Sequence, residues 1–380
     1  MRSLLRAGLA LGLVAAACKD SIAPKSLADP RATTAQMAAL DSLFGASTLN
    51  SFSALAPQIT PVAPAPVAIL QAVTAASNPL TRSSALRPYA KGLESARMVR
   101  ALVPTFTAAA AGDLFPPAFD GKTFEWNVTT HAYDTTARAG APPQGVRFIL
   151  YAVDPLTHLP VEPLVEVGYA DLDDESTASV AKLHVTVAGV NGTPIYVDYR
   201  VTLESTSQAS ARITTTGFIT NGTGAPDTLQ FHGVITAAGS AASATITQDV
   251  SLDVNSRDLH VRLVETVTLT QTSGGLSVGL RIAFRFQHGA EVVTLEGNLT
   301  LDGAAQTANG SITVKVDGGR MATCTVTASA DTYNLTCQGA DADGLNADEQ
   351  EALEAIGDAV GKVQEVFNGL FGPPLGVLGV

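Results

Sequence analysis

The feature that most constrains the fold is a long region, from about Thr123 to Cys337, in which apolar and polar residues alternate. A period of two places successive side chains on opposite faces of a β-strand. The clearest run puts six apolar residues on one face: Leu276, Val278, Leu280, Ile282, Phe284 and Phe286. Parallel strands buried on both faces would instead show continuous apolar runs. The alternation therefore predicts antiparallel strands with one buried face each.

Turn-forming residue pairs separate the alternating runs. They are Asn191-Gly192, Asn221-Gly222, Gly274-Gly275, Asp302-Gly303, Asn309-Gly310 and Asp317-Gly318. Such pairs favour tight hairpin turns, so consecutive strands should be neighbours. The predicted fold is mainly β: a long antiparallel meander of about twelve strands that forms a curved sheet, a half-barrel or a barrel.

Composition agrees with sheet structure and limits the partners. Charged residues make up 15% of the chain, against the ~25% that is typical of globular domains, and Thr, Ser, Ala and Gly take their place. The net charge is −12, which would repel phosphate backbones. We therefore expect no nucleic-acid partner.

The N-terminus has the organisation of a signal peptide. Arg2 and Arg6 form a basic segment, residues 9–14 are apolar, and residues 15–17 are three alanines. The apolar run is shorter than the ~20 residues that a membrane-spanning helix needs. Residues 1–17 are therefore predicted to be a secretory signal.

A cysteine, Cys18, directly follows these small residues, and this arrangement resembles the lipobox of bacterial lipoprotein precursors. The family usually has Leu three positions before the cysteine, where this chain has Ala15, and Val14 lies one position further away. The resemblance implies cleavage before Cys18 and lipidation of its thiol. It also implies an exported protein anchored in a membrane, at the outer membrane or the cell surface. The alternative is an ordinary signal peptide that leaves Cys18 as a plain thiol.

The segments around the alternating region differ in composition. Residues 18–32 are predicted to be a lipidated tether, 33–112 an Ala/Pro-rich helical region, 113–340 the β-domain, 341–371 a C-terminal helix and 372–380 an apolar tail. The helix should begin near Asn346, because Glu349 completes a capping box, and end at Gly372-Pro373-Pro374. Its apolar residues recur at helical spacing, so the N-terminal helices and this amphipathic helix are expected to pack on the sheet.

Two further cysteines, Cys324 and Cys337, lie symmetrically about the link between two predicted strands. In a hairpin centred on that link the two cysteines face each other, as do Val326 and Leu335. Directly opposite residues have Cα atoms ~4.5 or ~5.5 Å apart, within reach of a disulfide. We therefore predict a Cys324–Cys337 bond.

No sequence motif indicates catalysis or a resident metal. Gly275-Leu276-Ser277-Val278-Gly279 has the Gly-x-Ser-x-Gly spacing, but it lies in an alternating run that predicts a strand and not at the strand-to-helix turn of a nucleophile elbow. The chain lacks a phosphate-binding loop and a His-Glu-x-x-His motif. Two acidic segments, at 171–175 and 341–349, invite a Ca²⁺ interpretation, but the second places Gln350 where an EF-hand requires Glu. We expect no catalytic residue, no metal and no cofactor.

A long sheet with one apolar face needs a cover. A half-barrel closed by helices would resemble, in architecture alone, bacterial lipoprotein carriers and lipid-binding envelope lipoproteins, which implies a lipophilic ligand or an envelope protein as partner. The expected cavity-lining residues are Leu280, Ile282, Phe284, Phe286, Ile356, Val360 and Phe367. One alternative is a structural or adhesive surface module with a solid core, and another is an outer-membrane β-barrel.

Overall fold

A computed structural model describes residues 25–43, 47–55, 114–178, 180–207, 210–222, 228–239, 243–272, 275–302, 307–329, 333–339 and 344–377. The predicted signal peptide, Cys18 and most of the Ala/Pro-rich region lie outside these residues, so the predictions made for them stay predictions.

Most of the described chain forms one β-sheet. Its strands are β1 (Lys122–Asn127), β2 (Ala132–Thr136), β3 (Gly145–Tyr151), β4 (Glu166–Asp174), β5 (Ala181–Ala188), β6 (Ile195–Ser207), β7 (Ser210–Thr220), β8 (Thr228–Gly239), β9 (Ser243–Val254), β10 (Leu259–Thr272), β11 (Gly275–His288), β12 (Glu291–Asp302), β13 (Thr307–Val316), β14 (Gly319–Ala328) and β15 (Tyr333–Gly339). Within the described residues three α-helices accompany it: α1 (Pro30–Leu43), α2 (Ser47–Ser53) and α3 (Ala347–Val377).

The sheet is a meander, as the turn signals predicted. From β3 to β15 every strand pairs antiparallel with the next one along the chain, and β1 lies between β3 and β2. The β1–β3 pair alone is parallel. The sheet is not closed, so the open form among the predicted alternatives is the one adopted. It has fifteen strands rather than about twelve, partly because short strands such as β2 show no clear alternation.

One predicted turn is wrong. Asn309 and Gly310 lie inside β13, where Gly310 is paired with Leu299 on one side and Val326 on the other. A Cβ atom at Gly310 would approach the Asn298 carbonyl oxygen to 2.1 Å. The glycine therefore permits close approach of the neighbouring strand and does not form a turn.

The capping box at the start of α3 is confirmed. The Asn346 backbone N–H donates to a carboxylate oxygen of Glu349 over 3.1 Å, and the Glu349 N–H donates to Asn346 Oδ1 over 2.9 Å. The two bonds satisfy backbone donors that the first turn of a helix leaves without partners. Among the described residues, no helix is long and apolar enough to cross a membrane.

The predicted end of α3 is wrong, because the helix continues past Pro373 and Pro374 to Val377. Pro374 has no N–H to donate to the carbonyl of Leu370, which normally makes a proline costly in a helix. Here the Leu370 carbonyl accepts a hydrogen bond from the buried hydroxyl of Tyr199 on β6. The sheet supplies the donor that the proline lacks.

The contacts of α3 show how the sheet is shaped. Gln364 is hydrogen-bonded to Glu265 on β10, and the Phe371 ring lies 6.0 Å from the ring of Tyr199 on β6. Inward-facing residues of every strand from β3 to β14 are also buried in one cluster with residues of α3. Eleven strand spacings of ~4.8 Å separate β3 from β14, whereas a helix with its side chains is only ~10–12 Å wide and could not cover a flat sheet of that width. The sheet therefore curves around α3.

The predicted disulfide is present. Cys324 on β14 faces Cys337 on β15 in direct register, and their sulfur atoms are bonded. The Cα atoms are 4.0 Å apart, closer than either expected separation. Val326 faces Leu335 as predicted. The bond holds β15, which is one edge of the open sheet.

The bond between Tyr199 and Leu370 predicts a specific coupling. Tyr199→Phe should lower the free energy of unfolding by about 1–3 kcal/mol, because the buried Leu370 carbonyl loses its donor. In a Pro374→Ala background the cost should be smaller, since the restored N–H at position 374 can serve that carbonyl. Urea unfolding of the four proteins of this double-mutant cycle measures the difference.

Tyr196→Phe is the matched control for this cycle, because Tyr196 lies on the same strand and is only partly buried. It should change stability little in either background. An equal cost of Tyr199→Phe with and without Pro374 would show that the proline is not the reason for the bond.

Candidate functional site

The residues expected to line a cavity lie together in the core between sheet and helix. Four are on β11 and three on α3. Their exposed fractions are Leu280 4%, Ile282 2%, Phe284 1%, Phe286 2%, Ile356 0%, Val360 0% and Phe367 5%. All belong to one continuous apolar cluster that also includes residues of the other strands. At these positions the sheet and the helix are packed closely.

Three of the polar side chains that are buried in the same layer are neighbours. They are Gln248 on β9, Glu265 on β10 and Gln364 on α3, which we call the interior polar cluster. Glu265 is in register with Gln248 on one side and with Ile282 on the other. Gln364 lies one helical turn after Val360. The cluster therefore lies among the predicted lining residues.

This cluster is absent from the sequence-based predictions, although the sequence contains a signal for it. Glu265 interrupts the apolar series of β10 between Leu263 and Val267, and Gln248 interrupts that of β9 between Ile246 and Val250. A polar residue at an inward position costs free energy unless it has hydrogen-bond partners. A polar residue that interrupts an inward-facing apolar series therefore indicates a candidate site.

The hydrogen bonds within the cluster do not use all of its polar atoms. Gln364 donates from Nε2 to Glu265 Oε1. The second oxygen of Glu265, Oε2, and the amide nitrogen of Gln248, Nε2, are buried without a hydrogen-bond partner. Each buried polar group in this state costs about 1–3 kcal/mol. The cluster thus has hydrogen-bonding capacity that the described residues do not use.

Burial sets the protonation state of Glu265. Removal from water raises the pKa of its carboxyl group to about 8, although the hydrogen bond from Gln364 acts in the opposite direction. At neutral pH the group is therefore mainly a neutral carboxylic acid, which has one O–H donor. With the Gln248 amide, the cluster offers two donors within apolar surroundings, an arrangement that suits a carbonyl or ester oxygen.

A second polar group lies on the outer face of the sheet. Asp173, Glu175 and His184 place potential ligand atoms close enough to share a metal ion. His184 faces Asp173 across β4 and β5, and its ring nitrogens lie 3.3 Å from Glu175 and 3.0 Å from Asp198. The residue pattern indicated the acidic segment at 171–175 but not His184. The pairing of β4 with β5, which brings them together, cannot be read from the spacing of residues in the sequence.

Cations already occupy this outer group. Lys182 Nζ lies 2.6 Å from a carboxylate oxygen of Glu175, and Arg200 Nε lies 3.1 Å from the same oxygen. Partial burial alone would raise the pKa of Glu175, but the hydrogen bonds from Lys182 and Arg200 lower it to about 2. A metal ion would meet these positive charges, so we interpret the group as an ion-pair network. The acidic residues at 341 and 343 lie outside the described chain.

Comparison with known proteins finds no relative of this chain. No protein-family model, no curated protein and no solved structure matches this chain.

Glu265 predicts a pH dependence of stability. Its carboxyl has a raised pKa in the folded state, about 8 against 4.5 unperturbed, so its stabilising contribution is complete below the unfolded value and is lost as pH rises towards 8. Between these values the free energy of unfolding should fall by about 1.4 kcal/mol per pH unit from this group. Glu265→Gln should remove that slope, which urea unfolding at several pH values measures.

The control is Glu296→Gln, at an exposed carboxylate on β12. It should leave the slope as in the unmodified protein. If the stability curves of the unmodified protein and of Glu265→Gln run parallel from pH 5 to pH 8, Glu265 does not titrate as described.

Proposed function

We propose that this protein is an exported, lipid-anchored protein of the cell envelope that binds a lipophilic molecule between its sheet and α3. The observation that carries the proposal is the interior polar cluster within an extended apolar core. Sites for small lipophilic ligands are mostly apolar, with a few polar groups that orient the ligand. Gln248 and Glu265 are such groups, because each has a buried atom without a partner.

The donors of the cluster indicate the chemistry of the ligand. A neutral carboxylic acid at Glu265 and the amide of Gln248 would both donate to a carbonyl oxygen. The surrounding side chains of β11 and α3 are aliphatic or aromatic. The ligand class that fits is an amphiphile with an ester, amide or carboxylic acid group and a hydrocarbon chain.

The helix α3 is held in place by its contacts with the sheet more than by its own helix propensity. Glycines inside a helix lower its intrinsic stability by about 0.5–1 kcal/mol each. At Gly357 and Gly361 an added Cβ atom would have no neighbour within 4 Å, so close packing does not require these glycines. The helix therefore depends on its contacts with the sheet, and a ligand that takes over those contacts would compete with it.

The chain resembles a lipoprotein precursor only through its first eighteen residues, and the anchor proposed at Cys18 is separate from the ligand proposal. We assign no catalytic residue. The Thr186 hydroxyl lies 3.4 Å from His184 Nε2, but that nitrogen is closer to Asp198, at 3.0 Å, and belongs to the ion-pair network. The partners proposed are the membrane, through the lipid, and a lipophilic molecule or an envelope protein.

A second function, a structural or adhesive surface module with a solid core, is favoured by one observation. The residues expected to line a cavity are at most 5% exposed. A core that is filled by its own side chains needs no ligand, and the interior polar cluster would then fix the position of α3.

The lipid anchor predicts labelling of one cysteine. Protein made in its own host in the presence of an alkyne analogue of palmitate should carry the label, and Cys18→Ala should lose it. The matched control carries Cys324→Ser and Cys337→Ser, which removes the disulfide-bonded pair without leaving a free thiol, and should leave labelling intact. Equal labelling of the unmodified and Cys18→Ala proteins would contradict the anchor.

The ligand proposal predicts that organic extraction of protein purified from its own host yields a lipophilic species in stoichiometric amount. Gln248→Leu should reduce the extracted amount about tenfold, since the polar group of the ligand loses a donor. Gln230→Leu, on the exposed face of β8, should not. Protein that yields no such species would favour the solid-core module.

A further inference from the structure

The large apolar side chains that are exposed in the described part of the chain lie in one area. They are Val128, Leu156, Leu159, Val161, Val165, Val190 and Ile195. We call these seven residues the apolar rim. They occupy three connections: β1 to β2, β3 to β4, and β5 to β6, with Ile195 as the first residue of β6.

The strand directions place these three connections at the same end of the sheet. β1 runs parallel to β3, and β4 is antiparallel to both β3 and β5, so β1, β3 and β5 all run the same way. The connections that follow these three strands therefore lie side by side at one end. The turn between β4 and β5, with Thr177 and Ala178, lies at the opposite end.

The longest of these connections has an ordered backbone. The Val161 N–H donates to the Ala152 carbonyl over 2.9 Å, so the connection folds into a hairpin-like arm. At its tip the Asp154 carboxylate accepts hydrogen bonds from the N–H groups of Leu156 and Thr157. Leu156 is 88% exposed. A hydrogen-bonded turn therefore holds the Leu156 side chain in solvent.

The N-terminal segment reaches the same end of the sheet. Consecutive strands are antiparallel from β3 onwards, so β13 runs in the direction of β3, and the β13–β14 turn lies at the end that carries the apolar rim. The Lys25 N–H donates to the Arg320 carbonyl over 3.1 Å, and Lys25 Nζ pairs with Asp317 in that turn. Cys18 precedes Lys25 by seven residues, which span at most ~25 Å when extended.

We propose that the apolar rim inserts into the surface of the lipid bilayer to which the protein is anchored. This inference rests on the proposed anchor at Cys18. Both attachments would lie at the same end of the sheet. The anchor would hold the β13–β14 turn near the membrane, and the rim would hold the connections between β1 and β6 there. Two separate attachments would set the strands upright on the membrane and prevent free rotation about a single tether.

Three properties of the rim favour a bilayer over a protein partner. Its exposed residues are only Leu, Val and Ile, whereas protein interfaces depend mainly on Trp, Tyr and Arg. They are spread over three separate connections. Glu162 lies among them, and the net charge of the chain is −12, so the attraction must come from apolar insertion into zwitterionic lipid rather than from charge.

The first test removes the anchor and measures what remains. Exported Cys18→Ala protein should float with vesicles of phosphatidylcholine and phosphatidylethanolamine. Adding Leu156→Gln and Leu159→Gln, which keeps the charge unchanged, should weaken the partition coefficient about tenfold or more. The matched control carries Thr177→Gln and Ala178→Gln at the opposite end of the sheet and should partition as Cys18→Ala does.

The second test locates the inserted residue. In the Cys18→Ala protein the two other cysteines form the disulfide, so Leu156→Cys introduces a single thiol for an environment-sensitive dye. Its emission should shift to the blue when vesicles are added, whereas a dye at Ala178→Cys should not respond.

The outcomes test membrane insertion of the rim independently of lipidation at Cys18. Vesicle binding that depends on Leu156 and Leu159 supports the rim even if palmitate labelling shows no lipid at Cys18. Cys18→Ala protein that does not float, or that floats equally well with both glutamines, overturns the rim even if labelling shows the lipid. A dye at position 156 that does not respond also overturns it.

Discussion

The constraint on which the structure depends is that the twelve strands from β3 to β14 share one apolar face. A sheet of this width cannot leave that face in water, because each large aliphatic side chain loses about 1.5–3 kcal/mol of burial when it is exposed. The chain meets the requirement by curving the sheet around α3, with α2 adding contacts at β3 to β6. The long helix is therefore part of the core. Its removal would expose the inward residues of several strands at once.

Two polar contacts determine where α3 lies on this apolar surface. Apolar packing alone is tolerant of small shifts, whereas hydrogen bonds made in a buried setting are costly to lose. Tyr199 serves the carbonyl that Pro374 leaves without a donor, and Glu265 receives the amide of Gln364. The first bond fixes the end of the helix over β6, and the second fixes its middle over β10. The atoms that the second contact leaves without partners are also those that the proposed ligand would use.

The sequence was informative where one local rule decides the structure. The alternation of apolar and polar residues correctly predicted the inward face of β11. The capping box predicted the start of α3, and the symmetry of the hairpin predicted the Cys324–Cys337 disulfide. Predictions were wrong where a distant partner overrides a local rule. Pro374 does not end α3 because Tyr199, far away in sequence, replaces its missing donor, and Gly310 forms no turn because a neighbouring strand needs the space. Glu265 was missed although it visibly interrupts the apolar series of β10, whereas His184 was missed because its partners depend on strand register.

The apolar rim and the interior polar cluster fit one geometry. β10 begins at the end of the sheet that carries the rim, since it follows the turn after β9, and Glu265 lies six residues along it. At ~3.3 Å per residue the cluster is ~20 Å from that end. One leaflet of the hydrocarbon core of a bilayer is ~15 Å thick. An amphiphile of the length found in a leaflet could therefore have its polar group at Glu265 and its chain directed towards the rim. A protein standing upright on the membrane would then receive its ligand along the strands, without the ligand crossing water.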